Sequence, residues 1–193
     1  WIRAPVVTVG DDGLLWESAF KRRFVAQSDV LSVEQLHQTA PLTICTRSGG
    51  NITLGGAAVD LQRCTAVGRT IRERFAPSLG ASTMAADRAA SFARGARTVA
   101  DWRAAVSDMM EASYRAPSAS LEDMAMVLKS ASATPEERVG AALALRVAGE
   151  PAASIRVAAE SVVSEPLRAA LAAAAEDNDA KLDVALARMS RSR

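Results

Sequence analysis

Residues 42–76 read LTICTRSGGNITLGGAAVDLQRCTAVGRTIRERFA, and the hydrophobic period changes inside that stretch. Up to Leu54 the apolar residues alternate. Leu42, Ile44 and Thr46 share one face, and Ile52 and Leu54 resume the pattern after the turn signal Ser48-Gly49-Gly50-Asn51. That alternation on either side of a glycine turn predicts a β-hairpin. Gly55-Gly56 ends it. From Ala57 to Ala76 the period becomes helical, with Leu61, Cys64, Gly68, Ile71 and Phe75 on one stripe. Arg63, Arg69, Arg72, Glu73 and Arg74 lie mostly away from it. Glycine in a helix costs about 1 kcal/mol relative to alanine. Gly68 on the apolar stripe makes sense if the helix backbone must approach a strand closely at that point.

Working towards the N-terminus, Pro5–Val9 is β-branched and extended, and Gly10-Asp11-Asp12-Gly13 is a hairpin turn signal. Leu14–Ser18 returns as a second strand, and Phe20–Val25 alternates as a third. Asp29–Leu36 reads as a strand or a short helical turn, with Val30 and Val33 as its buried points. In order, these features are the entry strand, the Asp12-Gly13 hairpin, a basic-aromatic strand followed by Ser28-Asp29-Val30, the Leu42-Thr43-Ile44 hairpin and a closing helix. Together they resemble the bacterial branch of the pleckstrin-homology (PH)-like fold over roughly residues 4–78. The resemblance implies a strongly bent antiparallel β-barrel capped by its C-terminal helix, in a family whose members mostly bind proteins, peptides or lipids.

In lipid-binding members of that family, basic residues cluster around the first hairpin loop. Here the loop carries Asp11 and Asp12, which would repel a phosphate. Lys21, Arg22 and Arg23 are the candidate lipid- or anion-binding residues, aided by Trp16, provided they project beside that loop. The competing reading is a solvated strand whose arginine stems cover apolar surface.

Beyond residue 80 the chain is alanine-rich and reads as helices over 82–190. Ser82–Arg94, anchored by Met84 and Phe92, is followed by a break at Gly95 and a helix capped by Thr98 that runs to about Tyr114. Val99, Trp102, Val106, Met109 and Met110 form its apolar side. Ser120–Ser130 follows, with Leu121, Met124, Val127 and Leu128 expected inside. Thr134-Pro135-Glu136-Glu137 forms a capping box with proline at the first helical position, and Gly149 stands where a left-handed terminator belongs. Between them Val139, Leu143, Leu145 and Val147 read as the buried side. Later helices open at Pro151, Ser164-Glu165-Pro166 and Asn178. Ile155, Val157, Val162 and Val163, then Leu167 and Leu171, then Leu182, Val184, Leu186 and Met189 are their expected core positions. Starts near 134, 150, 164 and 178 resemble short HEAT-like helical repeats, and a compact antiparallel bundle reads the sequence almost as well. The fold class is therefore α+β, a PH-like sheet unit followed by an all-α unit. Taken together, the two halves resemble an uncharacterised bacterial family whose members often carry membrane segments before the sheet domain.

The charges give no strong field. There are 9 basic and 7 acidic residues up to position 80, and 14 and 15 beyond it. Nucleic acid is therefore a disfavoured partner. Arginine outnumbers lysine 20 to 3, a bias that fits a GC-rich bacterial coding sequence rather than a phosphate-binding surface. Cys45 and Cys64 form no CxxC or Cys/His cluster, and His37 is the only histidine. His37 reads as a surface residue and Cys64 as a buried thiol; Cys45 is ambiguous. Glu176-Asp177-Asn178-Asp179 lacks the ligand spacing of a calcium loop and reads as a polar helix junction. No catalytic constellation, metal site or cofactor motif is identified.

No run of 18 apolar residues occurs, and the chain opens on Trp1, which predicts a processed or excised portion of a longer protein. The expectation is a non-enzymatic protein- or peptide-binding or scaffolding module, the cytosolic part of a bacterial envelope-associated protein. Recognition of an anionic membrane surface is the first alternative, and an enzyme of unrecognised type the second.

Overall fold

A computed structural model describes residues 6–18, 21–35, 40–54, 61–75, 89–113, 120–130 and 132–191. His37, Met84 and most of the helix expected over 82–94 lie outside the described residues, as does the Leu61 side chain. The chain divides into two compact units, Trp1–Gly80 and Ala81–Arg193. The first holds two antiparallel sheets and a helix, the second holds helices, and the class is α+β.

In the first unit, β1 (Val6–Val9), β2 (Gly13–Glu17) and β3 (Arg22–Ala26) form a sheet in that order. The Gly10 amide donates to the Gly13 carbonyl at 2.8 Å to close the first hairpin. Gly13 is required there: its φ is +154°, and a Cβ would run into the Val25 carbonyl oxygen on β3. A 3-10 turn, Gln27–Asp29, leads into β4 (Val30–Glu34), which pairs with β5 (Leu42–Thr46), and β5 pairs with β6 (Asn51–Leu54). The segment 29–36 is therefore a strand over Val30–Glu34, and the helical turn ends at its first residue, Asp29. Among the described residues the two ladders remain separate three-stranded sheets and do not close into a barrel.

Strand alternation sends Val7, Val9, Leu14, Trp16 and Val25 inward from the first sheet, and Leu42, Ile44, Ile52 and Leu54 inward from the second. Helix α1 (Leu61–Phe75) covers this core with Cys64, Ile71 and Phe75. Gly68 is a point of close approach. A Cβ there would lie 2.8 Å from Leu42 Cδ1, so the missing side chain makes room for β5.

The second unit contains α2 (Val99–Ser113), α3 (Leu121–Lys129), α4 (Pro135–Val147), α5 (Ala152–Glu160), α6 (Glu165–Ala175) and α7 (Asp179–Arg191). Caps set their limits. Thr98 Oγ1 accepts the Asp101 amide at 3.1 Å. Complete capping boxes open α3 at Ser120 with Asp123, and α4 at Thr134 with Glu137. α4 ends in a Schellman motif: Gly149 has φ +86°, its amide reaches the Arg146 carbonyl, and the Glu150 amide reaches the Leu145 carbonyl.

α4 packs against α2, α3 and α6, and α6 against α5 and α7. Its consecutive residues Arg138–Leu145 are all buried, which makes α4 the central helix. Four expected core positions are instead exposed: Leu121, Val147, Val157 and Val184. Val157 and Val184 stand two residues after buried Ile155 and Leu182, and two residues are about 200° apart around a helix. The pairs cannot share a core face. Leu121 and Val147 are terminal residues of their helices, beyond the reach of the neighbours.

Candidate functional site

Among the described residues, the feature with most binding potential is the edge of β4 beside α1. β4 pairs with β5 on one side only, and no described strand lies on the other. A register irregularity between Val30 and Ser32 twists the strand at Leu31, whose side chain is 59% exposed. Val30 and Val33 rest against the core. Asp29 anchors the start of the strand. Its carboxylate accepts the Ser48 amide at 3.0 Å and the Ser48 hydroxyl at 2.9 Å, and its carbonyl accepts the Arg47 amide at 2.8 Å.

α1 forms the wall of this edge. Arg72 Nη1 donates to the Val33 carbonyl at 3.2 Å, which places that carbonyl on the side of β4 away from β5. In an antiparallel strand a residue's N–H and C=O point to the same side, so the Val33 amide faces outward as well. Two turns earlier in α1, Thr65 Oγ1 accepts from Gln35 Nε2 at 3.3 Å, and the same Gln35 nitrogen donates to the Ala40 carbonyl at 3.0 Å. Strand and helix therefore lie side by side, joined by the Gln35–Thr65 and Arg72–Val33 contacts, with arginine on the helix flank.

Lys21, Arg22 and Arg23 are not brought together. All three are exposed, but alternation in β3 puts Arg22 on the face opposite Arg23. Arg22 Nε is 3.1 Å from Glu17 Oε1 on the neighbouring strand. Arg23 pairs across from Trp16, and its guanidinium lies where a side chain on Gly50 would go, against the β5–β6 turn. The acidic first hairpin is held by α1: Arg74 Nη1 contacts Asp11 Oδ1 and the Val9 carbonyl, both at 3.2 Å. Of the thiols, Cys64 is buried and Cys45 half-buried, both unbridged.

In the second unit, a groove of about 590 Å³ between α6 and α7 is walled by alanines and Val184, with Glu176, Lys181 and Arg188 alongside. The nearby acidic junction is a clasp. Arg103 Nη1 contacts Asp177 Oδ1 at 2.9 Å, Arg103 Nη2 contacts Asp179 Oδ1 at 2.6 Å, and Arg146 Nη2 contacts Asp177 Oδ2 at 2.9 Å. Asp177 ends α6 in a left-handed conformation, φ 53°, in the Schellman position that Gly149 holds for α4. Burial works against the charge on Asp177, but hydrogen bonds and charge from Arg146 and Arg103 outweigh it and hold the carboxyl below its ordinary range. Burial likewise opposes the charged Arg103, and Asp179 and Asp177 overcome it to raise that guanidinium further.

The depressed Asp177 value means that its stabilisation is complete above the ordinary aspartate pKa and is lost as pH falls through the folded value. Asp177→Ala is expected to destabilise the helical unit by about 1–2 kcal/mol at neutral pH, half of that from left-handed strain and half from exposed, screened ion pairs. Asp177→Asn keeps the left-handed tolerance and should lose less. Urea midpoints against pH check this: the gap between parent and Asp177→Ala should shrink below about pH 4. A gap constant across that range would remove the clasp from the account.

Among the described residues no cluster of three or more His, Cys, Asp or Glu is placed to hold a metal ion, and no helix is long and apolar enough to cross a membrane. No family model, curated protein or solved structure matches the chain, so the geometry carries the functional reading by itself.

Proposed function

We propose that the chain is a non-enzymatic binding or scaffolding module whose first unit, a PH-like sheet-and-helix domain, takes up an extended segment of a partner protein along β4. The observation that carries this is the one-sided pairing of β4 next to α1. An open strand edge offers main-chain hydrogen bonds to an added strand, and the adjoining helix offers side-chain pockets for its alternate residues. Exposed Leu31 adds apolar contact at the same place. The helical unit supplies a second docking face at the α6–α7 groove. Its packing, with α2 on both α4 and α7, supports a compact bundle better than an open solenoid. Headgroup binding through Lys21, Arg22 and Arg23 is the weaker reading, because β3 separates their side chains and Glu17 neutralises Arg22.

Peptide display against the full chain, followed by amide hydrogen exchange with a selected peptide, tests the proposal. Protection should rise at Val30–Glu34, and N-methylation of alternate peptide amides should abolish binding while leaving the protein untouched. Protection confined to other elements, or selected peptides that tolerate N-methylation at every position, would refute strand addition.

A further inference from the structure

We infer that the β4 edge selects extended segments bearing acidic side chains on the side that faces α1; the inference rests on the peptide-site reading above. Thr65, Arg69 and Arg72 recur at the spacing of one helix stripe. Thr65 touches Gln35 and Arg72 touches Val33, which sets the stripe beside the C-terminal end of β4, with Arg69 between them on the helix. Both arginines are exposed, and among the described residues neither has a carboxylate within ion-pair distance. In contrast, Arg22 and Arg74 each meet an acid.

The bond that Arg72 makes to a neutral backbone carbonyl is weaker than one to a carboxylate. An incoming strand would present its own amide to the Val33 carbonyl and release the guanidinium. The released group then lies above the added strand, where an aspartate or glutamate would accept a charge-assisted bond. Two acids of the chain bear on this selectivity. Glu34 is exposed on β4, and its carboxylate accepts the Ser32 hydroxyl at 2.8 Å. Its partner Thr43 is on the face of β5 opposite buried Ile44, so Glu34 points away from α1. Glu73 follows Arg72 at about 100° around the helix and stands one turn beyond Arg69, about 40° from it. It moderates the field there, while the two arginines leave that flank net positive. The positive field therefore belongs to one side of the edge, and it discriminates between the two faces of an added strand as well as between peptides.

The probes are synthetic peptides of alternating threonine and valine that carry glutamate, glutamine or lysine on one face. They are titrated into the full chain by fluorescence anisotropy, with amide exchange at β4 as the second readout. The glutamate peptide should bind about fivefold more tightly than the lysine peptide at low salt. The gap should narrow as ionic strength rises. Arg69→Glu combined with Arg72→Glu should reverse the order, and circular dichroism checks that the variant keeps its fold. If all three peptides protect β4 equally, or if charge reversal leaves the order unchanged, acidic selectivity falls while the strand-addition reading stands. If none of the peptides protects β4, both fall together.

Discussion

Gly140→Ala should destabilise the helical unit by roughly 3 kcal/mol, the upper part of the usual range for overpacking a filled core. Ordinarily this substitution inside a helix gains about 1 kcal/mol, so the expected sign is opposite to that of propensity alone. The reason is local. A Cβ on Gly140 would run into the Phe92 carbonyl oxygen and stand within 2.9 Å of the Phe92 carbonyl carbon and 3.0 Å of its Cβ. Backbone cannot rotate aside as a leucine terminus can, so α4 or the segment around Phe92 must move as a body. Gly140 lies in the fully buried run Arg138–Leu145 of α4. A thermal melt followed by far-ultraviolet circular dichroism should show the midpoint falling by on the order of 10 °C. An unchanged or raised midpoint would mean that α4 and Phe92 are not this close. Gly68→Ala makes an instructive contrast, because the atom it meets is the end of the Leu42 side chain.

Trp102→Ala should cost about 3–5 kcal/mol, the usual range for removing a fully buried tryptophan. Trp102 is inaccessible to solvent, and its Nε1 donates to the same Phe92 carbonyl at 3.1 Å. Trp102→Phe separates the two contributions. It retains most of the apolar volume but leaves the carbonyl without its indole donor, for an expected loss of about 1–3 kcal/mol. Urea denaturation read by circular dichroism measures both. A Trp102→Phe variant as stable as the parent would show that the indole N–H contributes nothing. Because Gly140 and Trp102 act on one carbonyl from two sides, their effects should not be additive. The Gly140→Ala, Trp102→Phe double variant is expected to lose less than the sum of the singles.

Much of this architecture was legible because it is written in local chemistry. The hairpin around Gly49-Gly50, the stripe through Cys64, Ile71 and Phe75, the Thr134–Glu137 box and the Gly149 terminator each follow from residues close together in the chain. Even the close approach at Gly68 announced itself as a residue that is poor for a helix yet sits on the helix's apolar side. What needed coordinates was pairing at a distance. Arg103 lies 76 residues from Asp179, and nothing in either neighbourhood points to the other. Asp177 as a left-handed terminator was missed because glycine is the usual occupant, although aspartate and asparagine are the next most tolerant residues. The exposure of Val157 and Val184 was in principle readable, since each follows a core residue by two positions. For the candidate site, the helix was foreseen, 29–36 read equally as a strand or a short helical turn, and which strand would have an open edge was not legible. Lateral order in a sheet is a tertiary property, and the alternation in β4 looks the same whether it has one neighbour or two.

Burial of Arg138–Leu145 on every side has a consequence for how this chain could change over time. Side chains there have no direction that leads to water, so each substitution must be answered by another in a helix that touches it. The outward face of α5, where Val157 already tolerates solvent, is under no such restraint. Drift among descendants of this protein should therefore pool on that helix and leave the middle one nearly fixed.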